Sequence, residues 1–122
     1  MPRLAVIVFS ALALAVAGCG TAKSPQLVRN GNADRGKRLI ERYGCGSCHV
    51  IPGIERANGR VGPSLDEFRD IRTIAGELPN NADNAARWVR DARKIERGTI
   101  MPDFDMSEQD SRDIVAYLYS HT

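Results

Sequence analysis

The sequence predicts an all-α domain, because apolar residues recur at helical spacing, clusters of Gly, Pro and Asn punctuate them, and no stretch alternates convincingly as a strand. A first helix starts at Asn32 or Asp34 and runs to Tyr43, with Leu39 and Ile40 on its apolar side and Gly44 ending it. Ser64, after a Gly/Pro-rich loop from Val50 to Pro63, is placed to cap a short helix through Ile74. Leu78-Pro79-Asn80-Asn81 reads as a turn, and a further helix spans Asp83 to Arg93 with Trp88 and Val89 apolar. A loop from Gly98 to Asp105 follows. Ser107-Glu108-Gln109-Asp110 then resembles a capping box, opening a last helix whose stripe is Ile114, Val115, Tyr117 and Leu118.

The 122-residue chain carries a formal charge of +2 and suits one small domain. Its first segment reads as a secretory signal. Arg3 precedes an almost wholly apolar run from Leu4 to Val16, shorter than the roughly 20 residues of a spanning helix. The run ends in Val16-Ala17-Gly18-Cys19, which resembles the lipobox of bacterial lipoproteins. The expectation is a signal at 1–18, a lipidated Cys19 with a flexible tether at 19–32, and a domain at 33–122. A plain secretion signal with an incidental Cys, or an uncleaved anchor, is the alternative. The lipid reading places the protein outside the cytoplasmic membrane, on the periplasmic or outer-surface side; Gly20 is not an Asp retention signal. Thioether-linked diacylglycerol with a further acyl chain exceeds the two-signal requirement for stable anchoring.

The near-balanced charge gives no reason to expect a nucleic-acid partner. Arg87, Arg90, Arg93, Lys94 and Arg97 alternate with Asp91 and Glu96, and an acidic run from Asp103 to Asp113 follows. Such patterning reads first as a solvated helix face and second as a docking surface.

Cys45-Gly46-Ser47-Cys48-His49 has the C-x-x-C-H form that attaches haem. Its two thiols suit thioether bonds to the vinyl groups, and the adjacent imidazole suits the proximal ligand position. A zinc site would need a second Cys or His pair, and a thioredoxin-like dithiol would need a βαβ context; the sequence offers neither. A haem would also supply apolar volume to a small, aromatic-poor domain. The sixth iron position separates carrier from catalyst, since a thioether closes the iron and raises its potential. Met101 is the preferred ligand, because Pro102 keeps it out of helical conformation and lets it project from a loop. Met106, His121 and an open position are the other possibilities.

With these residues placed, the domain resembles class I c-type cytochromes over almost all of its length after the signal and tether. Gly36, Ile40 and Gly44 match the family's N-terminal helix, and Ile114 and Tyr117 match its C-terminal helix. The resemblance implies a small cytochrome c fold in which these helices cross, with Gly admitting the aromatic. Gly62-Pro63-Ser64-Leu65 is similar to the loop whose Pro carbonyl accepts a hydrogen bond from the proximal imidazole. That would assign the acceptor to Pro63.

A narrower similarity runs through Arg72-Thr73-Ile74-Ala75-Gly76, Leu78-Pro79-Asn80, Trp88-Val89-Arg90-Asp91 and Gly98-Thr99-Ile100-Met101-Pro102. It is to the cytochrome c domain fused to subunit II of some bacterial haem–copper oxidases. It implies that Arg72, Asn80 and Trp88 lie close to the haem and its propionates; their ordinary readings are a surface Arg, a turn Asn and a core Trp. The chain has no copper-site Cys/His set and no transmembrane hairpin, so a free-standing lipoprotein is expected rather than subunit II itself. Ala92 and Arg97 stand where that relative commonly has Pro, so the approach to Met101 is expected to differ locally.

These readings converge on a membrane-tethered single-electron carrier, not an enzyme, holding covalent haem c through Cys45, Cys48 and His49 with Met101 distal. A terminal oxidase is the expected acceptor, and a quinol-oxidising complex or a dehydrogenase the donor. A haem peroxidase, a gas or redox sensor with an open iron, and a fixed subunit of a larger oxidoreductase are the rival functions.

Overall fold

The side chain of Asn32 caps the first helix by accepting the Arg35 N–H at 2.8 Å in the computed structural model, which describes residues 28–121. Helix α1 spans Ala33–Arg42 and buries Gly36, Leu39 and Ile40. Gly44 follows at φ +71°, a left-handed conformation that glycine adopts without a Cβ penalty. One 3-10 turn, Cys45–Ser47, comes directly after it.

Helix α3, Glu108–His121, crosses α1 and buries Ile114, Val115, Tyr117, Leu118 and Tyr119. Gly36 makes the crossing close: a Cβ there would stand 1.9 Å from the Asp113 carbonyl oxygen. The resemblance assigns Gly to admitting an aromatic ring, but here it admits the α3 backbone itself. Tyr117 instead reaches a loop, donating its hydroxyl to the Pro52 carbonyl at 2.7 Å. A polar cluster fastens the crossing. The nearly wholly buried Asp113 accepts from the Asn32 N–H and the Gln109 amide, both at 2.8 Å, and from Arg35. Arg35 also pairs with Asp110, which accepts from the Tyr43 hydroxyl at 3.1 Å. A buried carboxylate is tolerable only with such partners.

The last residues of the stretch expected as a tether, 28–32, lie against the domain. Val28 packs against the core, and a Cβ on Gly31 would lie 2.7 Å from Ala116 Cβ. The Gln109 amide donates to the Asn30 carbonyl at 2.7 Å. The expected signal and the Cys19 lipid site lie outside the described residues.

Helix α2, Ala82–Ile95, is capped by Asn81, whose side chain accepts the Asn84 N–H at 2.9 Å. It packs against α3, and Arg112 links the two by reaching Asp83 at 3.0 Å and Glu108 at 2.8 Å. It is not continuous: Asp91 sits at φ −130°, ψ 44°.

Two expectations need correction. No helix forms over 64–74; turns occupy 66–70, and the last two residues are extended. The Asn80 amide donates to the carbonyls of Phe68 (2.6 Å) and Ile71 (3.1 Å), and the first of these is an acceptor that a helix would use internally. Strands also occur where none was read. β1, Thr73–Ile74, pairs antiparallel with β2, Leu78–Pro79, around a turn in which Ala75 and Gly76 both have positive φ. Two residues per strand are too few for alternation to show. The last helix begins as expected. Ser107 Oγ accepts the Asp110 N–H at 3.0 Å, while the Asp110 carboxylate goes to Arg35 and Tyr43.

Candidate functional site

Between the helix crossing and the loops lies a largely apolar cavity of about 630 Å³. Ile40, Ile114 and Leu118 connect it to the crossing, and Leu65, Phe68 and Ile74 line it from the turn region. That volume falls within the roughly 300–1,000 Å³ common for cofactor pockets. Val61, Ile71 and Ile100 are exposed apolar residues that also line it.

Cys45, Cys48 and His49 line the cavity together, and the backbone explains how. After left-handed Gly44, the Cys48 N–H donates to the Cys45 carbonyl at 3.2 Å and the His49 N–H to the same oxygen at 3.0 Å. Residues three apart in such a tight turn project from one side, which brings both thiols to the same wall. Neither cysteine is in a disulfide. Burial pushes the Cys45 thiol up to about 11, away from the lowered range of reactive redox dithiols.

His49 Nδ1 lies 2.7 Å from the Pro63 carbonyl oxygen. A carbonyl can only accept, so Nδ1 carries the proton and Nε2 keeps a free lone pair for a metal. Gly62 lets the loop come this close: its N–H donates to the Cys48 carbonyl at 2.8 Å, and a Cβ there would stand 2.3 Å from His49 Cε1. Gly59 does the same one step earlier, donating to the Gly46 carbonyl at 3.1 Å, with a Cβ position 2.3 Å from the Ser47 carbonyl. Sequence reasoning did not single out Gly59. Its signal was only one glycine in a glycine-rich loop.

Met101 lines the same cavity from the segment after α2. Its N–H donates to Thr99 Oγ1 at 3.2 Å, and its neighbour Ile100 is 70 % exposed. Met106 and His121, the other candidate ligands, do not line the cavity. Met106 is buried in the core, and His121 stacks on Tyr117 with ring centroids 4.1 Å apart. Trp88 lines the cavity and is buried. Arg72 and Asn80 do not line it. Arg72 is exposed and its carbonyl accepts the Asn80 N–H, while Asn80 Oδ1 accepts the Tyr119 hydroxyl at 2.6 Å. Burial pushes that hydroxyl up to about 12.

Two thiols on one turn, an oriented imidazole, a thioether and an apolar cavity of this size fit a haem. The family model for cytochrome c matches residues 33–122. The chain belongs to the cytochrome c family. Among curated relatives, the cytochrome c oxidase subunit 2 of Alkalihalophilus pseudofirmus is 37 % identical over 89 residues, covering 72 % of this chain and 25 % of the relative. The subunit 2 of Bacillus sp. (strain PS3) is 32 % identical over 82 residues, covering 66 % and 22 %. The chain therefore spans about a quarter of the length of these relatives.

Solved cytochromes share the fold. Cytochrome c2 from Rhodobacter sphaeroides superposes with a TM-score of 0.52 at 18 % identity, over 75 % of this chain and 96 % of that one. Ferric cytochrome c-550 from Paracoccus versutus gives 0.51 at 15 % identity, over 75 % and 98 %. As a cytochrome c, the protein is an electron-transfer protein with covalently attached haem c and its iron. Among the described residues, no helix is long and apolar enough to cross a membrane.

Proposed function

We propose that the protein is a single-electron carrier with a closed iron, its haem bonded through Cys45 and Cys48 and ligated by His49 and Met101. The observation that carries this reading is that, among the described residues that line the cavity, His49 is the only imidazole and Met101 the only thioether. Bound haem c supplies a one-electron iron couple. Cys45 and Cys48 fix its position covalently. Pro63 holds the His49 ring in one tautomer and orientation, and Met101 occupies the position that a peroxidase or gas sensor would leave open. Trp88 and the apolar lining exclude water. Arg72 and Asn80 act one step back, through the hydrogen bonds of Asn80 that shape the wall.

The reading extends to the cell. A lipid on Cys19 would hold an exported carrier at a membrane and raise its effective concentration for membrane-bound partners. Kinship with oxidase subunit 2 supports a respiratory role with a terminal oxidase as acceptor, and a quinol-oxidising complex or a dehydrogenase as donor. The ferric optical spectra of wild type and Met101→Ala test the site. A far-red sulfur-to-iron charge-transfer band should be present in the first and absent in the second. A band that survives the substitution rejects Met101 as the ligand.

A further inference from the structure

Helix α2 is broken at Asp91, where no Pro or Gly explains a kink. After the break, the remaining residues through Ile95 form in effect a second short helix, and its N–H groups need acceptors as those of any helix start do. Asp91 stands at the capping position, but its carboxylate is spent elsewhere. It takes Lys94 Nζ at 2.6 Å and Arg90 Nε at 2.7 Å. The acceptor comes instead from Asp103, in the segment that carries Met101: Asp103 Oδ1 accepts the Arg93 N–H at 2.8 Å. The next residue adds a backbone bond, the Phe104 N–H donating to the Arg90 carbonyl at 3.3 Å.

The same segment is fixed on its other side. Gly98 N–H donates to Glu96 Oε1 at 2.7 Å and Thr99 N–H to the Glu96 carbonyl at 3.1 Å. Phe104 meets the Tyr43 ring edge-on with centroids 5.8 Å apart. Between these attachments, the Met101 N–H bonds locally to Thr99, and its side chain packs half-buried against the core. The course of the backbone that carries this side chain is set by where the two ends are tied.

We infer that Asp103 is a positioning residue for Met101: by capping the second half of α2 it ties the ligand-bearing segment to the helix break. The inference rests on Met101 as the distal ligand. It also accounts for a helix break without proline, since Asp103 satisfies an N–H that the break frees.

The test uses the full haem-loaded protein as wild type, Asp103→Ala, Asp103→Asn and Asp105→Ala, titrated with imidazole in the ferric state. Imidazole competes with Met101 for the iron, so a loosened segment reads out as tighter imidazole binding. Asp103→Ala should bind it about tenfold more tightly, equivalent to about 1.4 kcal/mol. The Arg93 amide should exchange faster with solvent. Asp103→Asn keeps an acceptor oxygen and should return both readouts to within about threefold of wild type. Asp105→Ala, which alters a nearby carboxylate without touching the Arg93 N–H, should match wild type.

Wild-type imidazole affinity and Arg93 exchange in Asp103→Ala would overturn the inference while leaving the ligand reading intact. An equal effect from Asp105→Ala would overturn it too, as a general charge effect. If the charge-transfer band survives Met101→Ala, the ligand reading itself falls, and the positioning role falls with it.

Discussion

His49 and Met101 reach the same cavity from walls of different construction. The His49 wall is stitched by hydrogen bonds at the site itself: Cys45 to His49, Gly62 to Cys48, and the ring to Pro63. The Met101 wall is a segment tied at its ends, through Glu96 on one side and through Asp103 and Phe104 on the other. One wall fixes its functional group directly. The other fixes the backbone frame and leaves the thioether to side-chain packing against the core. A covalent anchor needs the first construction. A replaceable sixth ligand is compatible with the second.

The largest effect should come from crowding the tight wall. Gly62→Ala puts a Cβ 2.3 Å from the His49 ring, while the Pro63 carbonyl holds the ring and the Cys48 carbonyl holds the Gly62 N–H, so neither side can simply move away. Overpacking of this kind costs about 3 kcal/mol, to be read from denaturant unfolding of the loaded protein. A loss under about 1 kcal/mol would mean that this wall is as yielding as the other.

A smaller effect should come from the support beneath the second wall. Burial opposes ionisation of Asp110, but hydrogen bonds from Arg35 and Tyr43 outweigh it and hold the carboxyl below its usual range. A depressed folded value contributes stability that is present above the unfolded value, near 3.9, and lost as pH falls through the folded one. Asp110→Asn should therefore cost about 1 kcal/mol at neutral pH, the worth of one hydrogen bond. Its stability should also fall less steeply than wild type below about pH 4. Tyr43 passes this support to the Met101 segment through its contact with Phe104. Parallel acid profiles would remove Asp110 from that chain of contacts.

The same contrast decides what could be read from sequence. Cys45, Cys48 and His49 fall within five consecutive positions, so that wall is visible as a motif. Pro63 and Met101 are visible by resemblance and by the Pro after Met101, and Trp88 by its apolar place on α2. What escaped depends on partners far along the chain. A helix over 64–74 is locally reasonable, yet Asn80 takes two of its carbonyls. The break at Asp91 leaves no mark in its own segment, because the carboxylate that caps it belongs to Asp103. Gly36 was legible as a close-packing position, but not that the α3 backbone, rather than an aromatic ring, fills the space.

The central claim is that Cys45 and Cys48 anchor the haem whose iron faces His49. Proteolysis of the purified protein, followed by mass spectrometry of the peptide containing residues 45–49, tests it most directly. One haem should remain on that peptide under denaturing conditions, with both thiols refractory to alkylation. Haem that extracts into acidified solvent, leaving Cys45 and Cys48 free to alkylate, would contradict the account.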